Sequence, residues 1–547
     1  MQTDKNTNSV PGAAGISFLP LFFIIPILIN LSLVFWMQNS VDLAGWSAAE
    51  ITAAALVMIL VWKNTSIQIP SAEFLTPMLL VALWAAASLI WSPNIHSTLT
   101  GIYKILWILF MLVIFQNDTD AWKKVLEYAV PACSVIAALI IIFFPVSILR
   151  VPHPNLYAGF LAMGGIVSTG IMLDSTGKMR VTHFIASGII AVAIIFLASL
   201  GPILSYCAGT ALLLSARGVK RSWIAALCAI ALFLVAINIG GRSAASISFT
   251  SFLQRKLSDP FALERLSIWK DSLKYISRHP ITGTGLGTFR DCYPEFKGIE
   301  GLRNAPYAHN ELINTACELG IVGLSLILWL AWKFLYHVLR AGNSRETADR
   351  TYAQSPHWGI AALAALFQSF FDFNLRYPPV LFLSLFFVSC AMPKRNIFPK
   401  RVFRACALVL LSLAAILFSL PGVADIIFRS SFQDPVKRRQ AALTAARIDP
   451  LNGMYWFNTG KMDHAALAVT LEPRNVWYRR EAARFLLGEW VKNHDPAYIL
   501  RAAEQYDTIL KLAPNVQAFH AEAESINKLF LNSKAGTKEG GIVKTEH

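Results

Sequence analysis

Apolar stretches long enough to be helical spans recur through the first 424 positions, separated by short polar segments. Thirteen can be marked: 16–37, 44–62, 74–92, 97–115, 125–146, 154–173, 181–199, 201–216, 222–240, 311–331, 357–372, 377–392 and 403–424. A helix takes about 20 residues to cross a hydrocarbon core of about 30 Å, so the pattern predicts an all-α, polytopic protein with about 13 transmembrane helices. Each such helix satisfies its own backbone groups, so Pro131 and Gly164 are tolerable inside their spans. The shortest stretch, 201–216, is expected to pair with 181–199 as a tight helical hairpin. The polar, poorly basic start runs straight into a full-length span, and no cleavable signal is read there.

Two regions break the pattern. Residues 241–310 form a long polar loop between the ninth and tenth spans. After 424 the chain becomes charged and Ala-rich, with three similar helix ends at Ile448-Asp449-Pro450-Leu451-Asn452, Leu471-Glu472-Pro473-Arg474-Asn475 and Leu512-Ala513-Pro514-Asn515. These resemble the turns between tetratricopeptide repeats, although their spacing is irregular. Within the tail, 498–512 predicts an amphipathic helix with Leu500, Ala503, Tyr506 and Leu510 on one face. The expected domains are a membrane domain at 1–424 with its loop at 241–310, a helical-repeat domain at 425–532, and a disordered Lys/Gly-rich tail at 533–547.

Composition fits this reading: 55% of residues are hydrophobic and 15% charged, where soluble proteins average about 25% charged. The net charge of +15 would suggest nucleic acid as a partner in a soluble protein. Its distribution says otherwise. With the N-terminus inside, the inner short loops hold eighteen basic residues, from Lys5 to Arg404, and the outer ones only Arg150 and Arg376. This asymmetry orients the chain by the positive-inside rule, placing the long loop and the tail on the outer face. Most of the excess is thus topological, and no nucleic-acid partner is expected. Of seven cysteines only Cys292 falls in an outer aqueous segment, so no disulfide is expected, and no Cys/His cluster has zinc spacing.

The long loop carries the most specific signal: Glu264-Arg265-Leu266-Ser267-Ile268-Trp269, then His279-Pro280-Ile281-Thr282-Gly283-Thr284-Gly285-Leu286-Gly287, then Ala308-His309-Asn310-Glu311-Leu312 and Glu318-Leu319-Gly320. Trp91-Ser92-Pro93, His153-Pro154-Asn155 and Phe371-Asp372-Phe373-Asn374-Leu375 add to it. At these residues the chain resembles the O-antigen ligase and O-antigen polymerase superfamily. The resemblance implies a GT-C-like fold in the bacterial inner membrane, N-terminus cytoplasmic and C-terminal domain periplasmic. It also implies an inverting glycosyltransferase that takes an undecaprenyl-diphosphate-linked glycan as donor and needs neither metal nor cofactor. The acceptor stays open among a lipid A-core sugar (ligase), another glycan (polymerase) and a protein hydroxyl (O-oligosaccharyltransferase). A polysaccharide flippase and a non-catalytic scaffold, with the tail recruiting polysaccharide-assembly proteins, are the readings from other classes.

The chemistry agrees with these residue types. A departing diphosphate calls for a fixed cation, which Arg provides with a planar, always-charged fork. A hydroxyl nucleophile benefits from a general base of near-neutral pKa, which His provides. By the resemblance His309 is the base and Arg265 holds the diphosphate; the alternatives are a capping histidine and a surface pair of Arg265 with Asp271 or Glu264. Asn310 either caps the following helix or orients His309. Gly283, Gly285 and Gly287 follow no strand and read as a turn rather than a nucleotide loop. Trp269 and His153 join the candidate substrate-binding set. Superfamily members usually carry a Ser-Arg pair at the outer end of the seventh span, where this chain reads Ala198-Ser199-Leu200-Gly201-Pro202. Candidates to replace that arginine are Arg150, Arg242, Arg376 and the intramembrane Lys104, whose position in a span is costly unless it is used or snorkels outward.

Overall fold

The structure, a computed structural model, describes residues 43–117, 119–144, 154–197, 199–220, 260–298, 305–343, 356–431 and 434–539. The expected spans at 16–37 and 222–240, the loop segment 241–259 and the last eight residues lie outside them. The protein is all-α: among the described residues the only sheet is an antiparallel ribbon of β1 (Ile67–Pro70) and β2 (Lys394–Ile397).

The membrane domain is built from α1 (Leu43–Lys63), α2 (Ala72–Ala87), α3 (Ile95–Asn117), α4 (Thr119–Phe143), α5 (Pro154–Asp174), α6 (Gly177–Phe196) and α7 (Leu200–Ala216). Beyond the long loop it resumes. The loop contributes α8 (Pro260–Arg278) and the short α9 (Phe289–Cys292), followed by α10 (Glu311–Asn343), α11 (His357–Gln368), α12 (Pro378–Ala391) and α13 (Arg401–Ser430). Eight helices among the described residues are long and apolar enough to cross a membrane, with α7 and most of α12 as shorter apolar helices. Large apolar side chains such as Leu83, Phe184 and Leu410 stand exposed on their outer faces, as expected where lipid replaces water.

Helix α10 is not a single rod. Gly320 sits at φ 65°, ψ −167° and breaks it, freeing carbonyls on one side and an N–H on the other. The glycine turn of the long loop plugs this break. Thr284 N–H donates to Cys317 O at 3.1 Å, Gly285 N–H to Glu318 O at 2.8 Å, and Ile321 N–H to Pro280 O at 2.9 Å. The Trp84 indole takes Leu319 O at 2.9 Å. A Cβ on Gly283 or Gly320 would strike the opposing backbone, so the glycines permit close approach as well as positive φ. The first turns of α10 consequently pack into the loop's own core with Ile268, Tyr275, Phe289 and Cys292. Cys317, which hydropathy alone puts inside a span, is buried beside Cys292 in that core, and both are free thiols.

The tail comprises α14 (Pro435–Ile448), α15 (Gly453–Phe457), α16 (Met462–Leu471), α17 (Val476–Asn493), α18 (Pro496–Leu512) and α19 (Gln517–Glu539). Two of the three similar helix ends work alike: Asn452 caps α15 and Asn475 caps α17 through their side-chain oxygens. On α18 the buried stripe is Ile499, Ala502, Ala503, Tyr506 and Ile509, while Leu500 is 45% exposed. Ala503 and Tyr506 of the expected face are buried and Leu510 packs against the same core, so the face is wider than expected and excludes only Leu500, because the helix packs between α17 and α19 rather than against one partner. The last helix continues through 533–539, where composition suggested disorder.

The tail is docked on the membrane domain. His96 near the start of α3 bonds Asp449 at 2.9 Å, with both side chains at most 10% exposed. Arg474 pairs with Glu295 of the loop.

Candidate functional site

The seam between α10 and α11 positions the site. Asn310 accepts from Leu312 N–H at 3.0 Å and Ile313 N–H at 3.1 Å, capping α10. Its amide also donates to Phe370 O at 2.9 Å, and Glu311 N–H donates to Ser369 O at 2.9 Å. Of the two roles read for Asn310, capping is the one its contacts display. Just before the cap, His309 takes φ 52°, a left-handed conformation that costs a residue with a Cβ about 1–3 kcal/mol. Trp269 fixes this bend from α8, its indole donating to Ala308 O at 2.9 Å.

The bend directs the His309 ring at Asp372, which lies beyond the end of α11. Nδ1 is 3.4 Å from Oδ1, and the ring edge meets Phe373 with centroids 4.7 Å apart. Arg265 reaches the other oxygen of the same carboxylate from α8, Nη2 to Oδ2 at 3.5 Å. Its partner is thus neither Asp271, which pairs with Lys274 and the Gly298 N–H, nor Glu264. Two further donors hold the carboxylate: Asn155 Nδ2 to Oδ2 at 2.6 Å and Phe373 N–H to Oδ1 at 2.9 Å. Burial would raise the Asp372 carboxyl, but the His309 bond, the Arg265 cation and these two donors outweigh it and hold it below the usual carboxylate range. An ionised carboxylate only accepts, so the His309 proton belongs on Nδ1 and Nε2 is left to take one from elsewhere.

Asp372 and Asn155 were not singled out for a role from sequence, although both stand inside quoted motifs. Acidic residues at helix ends are inexpensive and common, and nothing local distinguishes Asp372 from a solvated one. Of the residues considered as replacement cations, Arg376 is committed. It forms a forked pair with Glu311, Nε to Oε1 at 2.9 Å and Nη2 to Oε2 at 3.0 Å, and lies over the Tyr307 ring at 4.3 Å. Lys104 sits inside α3 with its ammonium 4.8 Å over the Trp46 ring, and Glu50 is the opposing group that acts on it most strongly. Neither residue bonds Asp372. Arg150, His153 and Arg242 lie outside the described residues.

Residues 184–328 match the family model described as O-Antigen ligase, a stretch that contains Arg265, Trp269, the glycine turn, His309 and Asn310. Over this stretch the chain is similar to the O-antigen ligase family, as its motifs suggested. None of the curated proteins matches it. The matched stretch contains His309 and Arg265, while Asn155, Asp372 and Arg376 lie outside it. The match supports a function in surface-glycan biosynthesis, and the long apolar helices support a membrane protein.

Proposed function

We propose that the protein transfers a glycan from a polyprenyl diphosphate to an acceptor hydroxyl at the outer face of the bacterial inner membrane, with inversion at the anomeric carbon. The observation that carries this reading is the single carboxylate of Asp372 with His309 on one oxygen and Arg265 on the other. His309 Nε2 takes the acceptor proton as its oxygen attacks the anomeric carbon. The sugar–phosphate bond breaks on the opposite side, and the lipid diphosphate leaves against Arg265. Asp372 fixes the imidazole tautomer and stabilises the cation that forms. Among the described residues Arg376 is paired with Glu311 and Lys104 lies over Trp46, so Arg265 is the cation assigned here to the diphosphate.

The test is transfer from an undecaprenyl-diphosphate-linked glycan by purified protein. His309→Ala is expected to lose transfer while the lipid-linked donor accumulates in cells; unimpaired transfer by that variant would overturn the mechanism. The acceptor follows from the glycan phenotype of a gene deletion. Single repeats on lipid A indicate a polymerase, long chains left on the carrier a ligase, and unglycosylated secreted proteins a protein O-oligosaccharyltransferase.

A further inference from the structure

Asp372 serves two partners that glycan transfer would separate. Arg265 must turn to the incoming diphosphate, whereas His309 needs the carboxylate throughout proton transfer. Both contacts are long and half-open, Arg265 at 3.5 Å with its side chain 32% exposed and His309 at 3.4 Å with its side chain 25% exposed. The difference lies in the side chains: the long, flexible Arg265 can swing outward, whereas the ring of His309 is held against Phe373 by its bent backbone. The Asp372 side chain is only 8% exposed. If its Oδ2 lost every donor it would become an unsatisfied buried anion and would take up a proton. A protonated Asp372 no longer orients His309.

Asn155 prevents this. It stands in the first turn of α5 and donates to Oδ2 at 2.6 Å. Its amide cannot turn over, because Ser199, the N-cap residue of α7, donates Oγ–H to Asn155 Oδ1 at 2.7 Å. The Asn155 backbone is held in turn by Gln368 Nε2, which donates to its carbonyl at 3.1 Å. Ser199, Asn155 and Gln368 come from three different helices or their caps, so the amide is fixed from several sides. Among the described residues the charged or titratable side chains paired with this carboxylate are Arg265 on α8 and His309 before α10; Glu311, at the start of α10, is paired with Arg376.

We infer that Asn155, aimed by Ser199, is the positioning residue that keeps the Asp372 carboxylate on His309 when Arg265 is drawn to the donor. This rests on the glycan-transfer reading above. In that step the acceptor O–H proton passes to His309 Nε2, the new C–O bond forms, and the sugar–phosphate bond pair leaves with the lipid diphosphate; Asn155 exchanges nothing.

The experiment uses the full-length protein in nanodiscs. Asn155→Ala is expected to lower kcat about tenfold with the donor KM changed less than about twofold. Nitrogen NMR is expected to show His309 as the Nδ1–H tautomer in the wild type and a mixture with the Nε2–H form in Asn155→Ala, because the carboxylate that accepts from Nδ1 is no longer held in place. Ser199→Ala, which leaves every Asn155 backbone contact in place, lowers kcat and mixes the tautomers by less and serves if Asn155→Ala does not fold. Wild-type kcat and an unchanged His309 tautomer in a folded Asn155→Ala protein would overturn the inference. So would a fall in thermal stability with neither kcat nor tautomer changed. If the wild type transfers no glycan, the functional reading fails alone. Histidine NMR of protein loaded with undecaprenyl diphosphate still tests Asn155, since the Nδ1–H tautomer of His309 should persist in the wild type and be lost in part in the Ala variant.

Discussion

His309 and Asp372 are 63 residues apart in the chain, yet the imidazole Nδ1 stands 3.4 Å from the carboxylate Oδ1. One enters at the capped start of α10 and the other just past the end of α11. The pairing therefore depends on the seam where Asn310 and Glu311 bond the Phe370 and Ser369 carbonyls. Anything that opens that seam separates imidazole from carboxylate without touching either.

Asp372→Asn tests the pair directly. The amide preserves shape but removes the charge that selects the Nδ1–H tautomer, and kcat is expected to fall about 10²-fold or more. Because the two residues act as a unit, the double variant with His309→Ala should be no slower than His309→Ala alone. Initial rates of transfer from a lipid-linked glycan measure this, and additive losses would refute it.

The forked Arg376–Glu311 pair holds the same seam from its other side. Removing either partner leaves a charge enclosed by protein, so Arg376→Gln and Glu311→Gln should each destabilise the protein. A double-mutant cycle on thermal midpoints is expected to show coupling of about 0.5–3 kcal/mol. Arg376→Lys keeps the charge but loses the fork and the stacking on Tyr307, and should not rescue the wild-type midpoint.

Gly320→Ala probes the plugged helix break. Its φ of 65° and the adjacent Ile281 carbonyl leave no room for a methyl group, so the variant should lower the thermal midpoint by several degrees and reduce transfer. Gly188 on α6 has nothing within 4 Å of an added Cβ. Gly188→Ala should be neutral or stabilising by up to about 1 kcal/mol. Equal midpoints for the two variants would count against the turn as the element that holds the loop.

Asp291 gives a pH signature for tail docking. Burial, then the neighbouring Glu472, raise its carboxyl to about 6, against the hydrogen bond from Asn94. A carboxyl raised in the folded state costs stability above that value, and the cost is relieved as pH falls from about 6 toward its ordinary 3.8. Asp291→Asn should therefore raise the midpoint at pH 8, with the gain shrinking toward pH 4.5. Thermal scans of detergent-solubilised protein at the two values decide it.

Much of the site was legible in the chain because its parts are local. His309 with its capping Asn310, Arg265 and Trp269 one helical turn apart on α8, and the glycines of the turn each form a short pattern that needs no partner to be seen. Asn155, Ser199 and Asp372 were not legible, since each is ordinary where it stands and acquires meaning only from the other two. The stripe on α18 was right at Ala503 and Tyr506 but missed Ile499, Ala502 and Ile509 for a related reason: periodicity finds an apolar side but cannot tell how many neighbours share it.

Hydrophobic runs dictate helices in lipid because a spanning backbone must bond to itself, so the all-α membrane architecture is written in the chain whatever its tertiary arrangement. Side chains that bond across elements obey no such local requirement. The break of α10 at Gly320, the burial of Cys317 in the loop rather than in a span, the commitment of Arg376 to Glu311 and the sharing of Asp372 by His309 and Arg265 were all decided by packing. Each joins segments tens to hundreds of residues apart, and only the folded chain brings their donors and acceptors within reach.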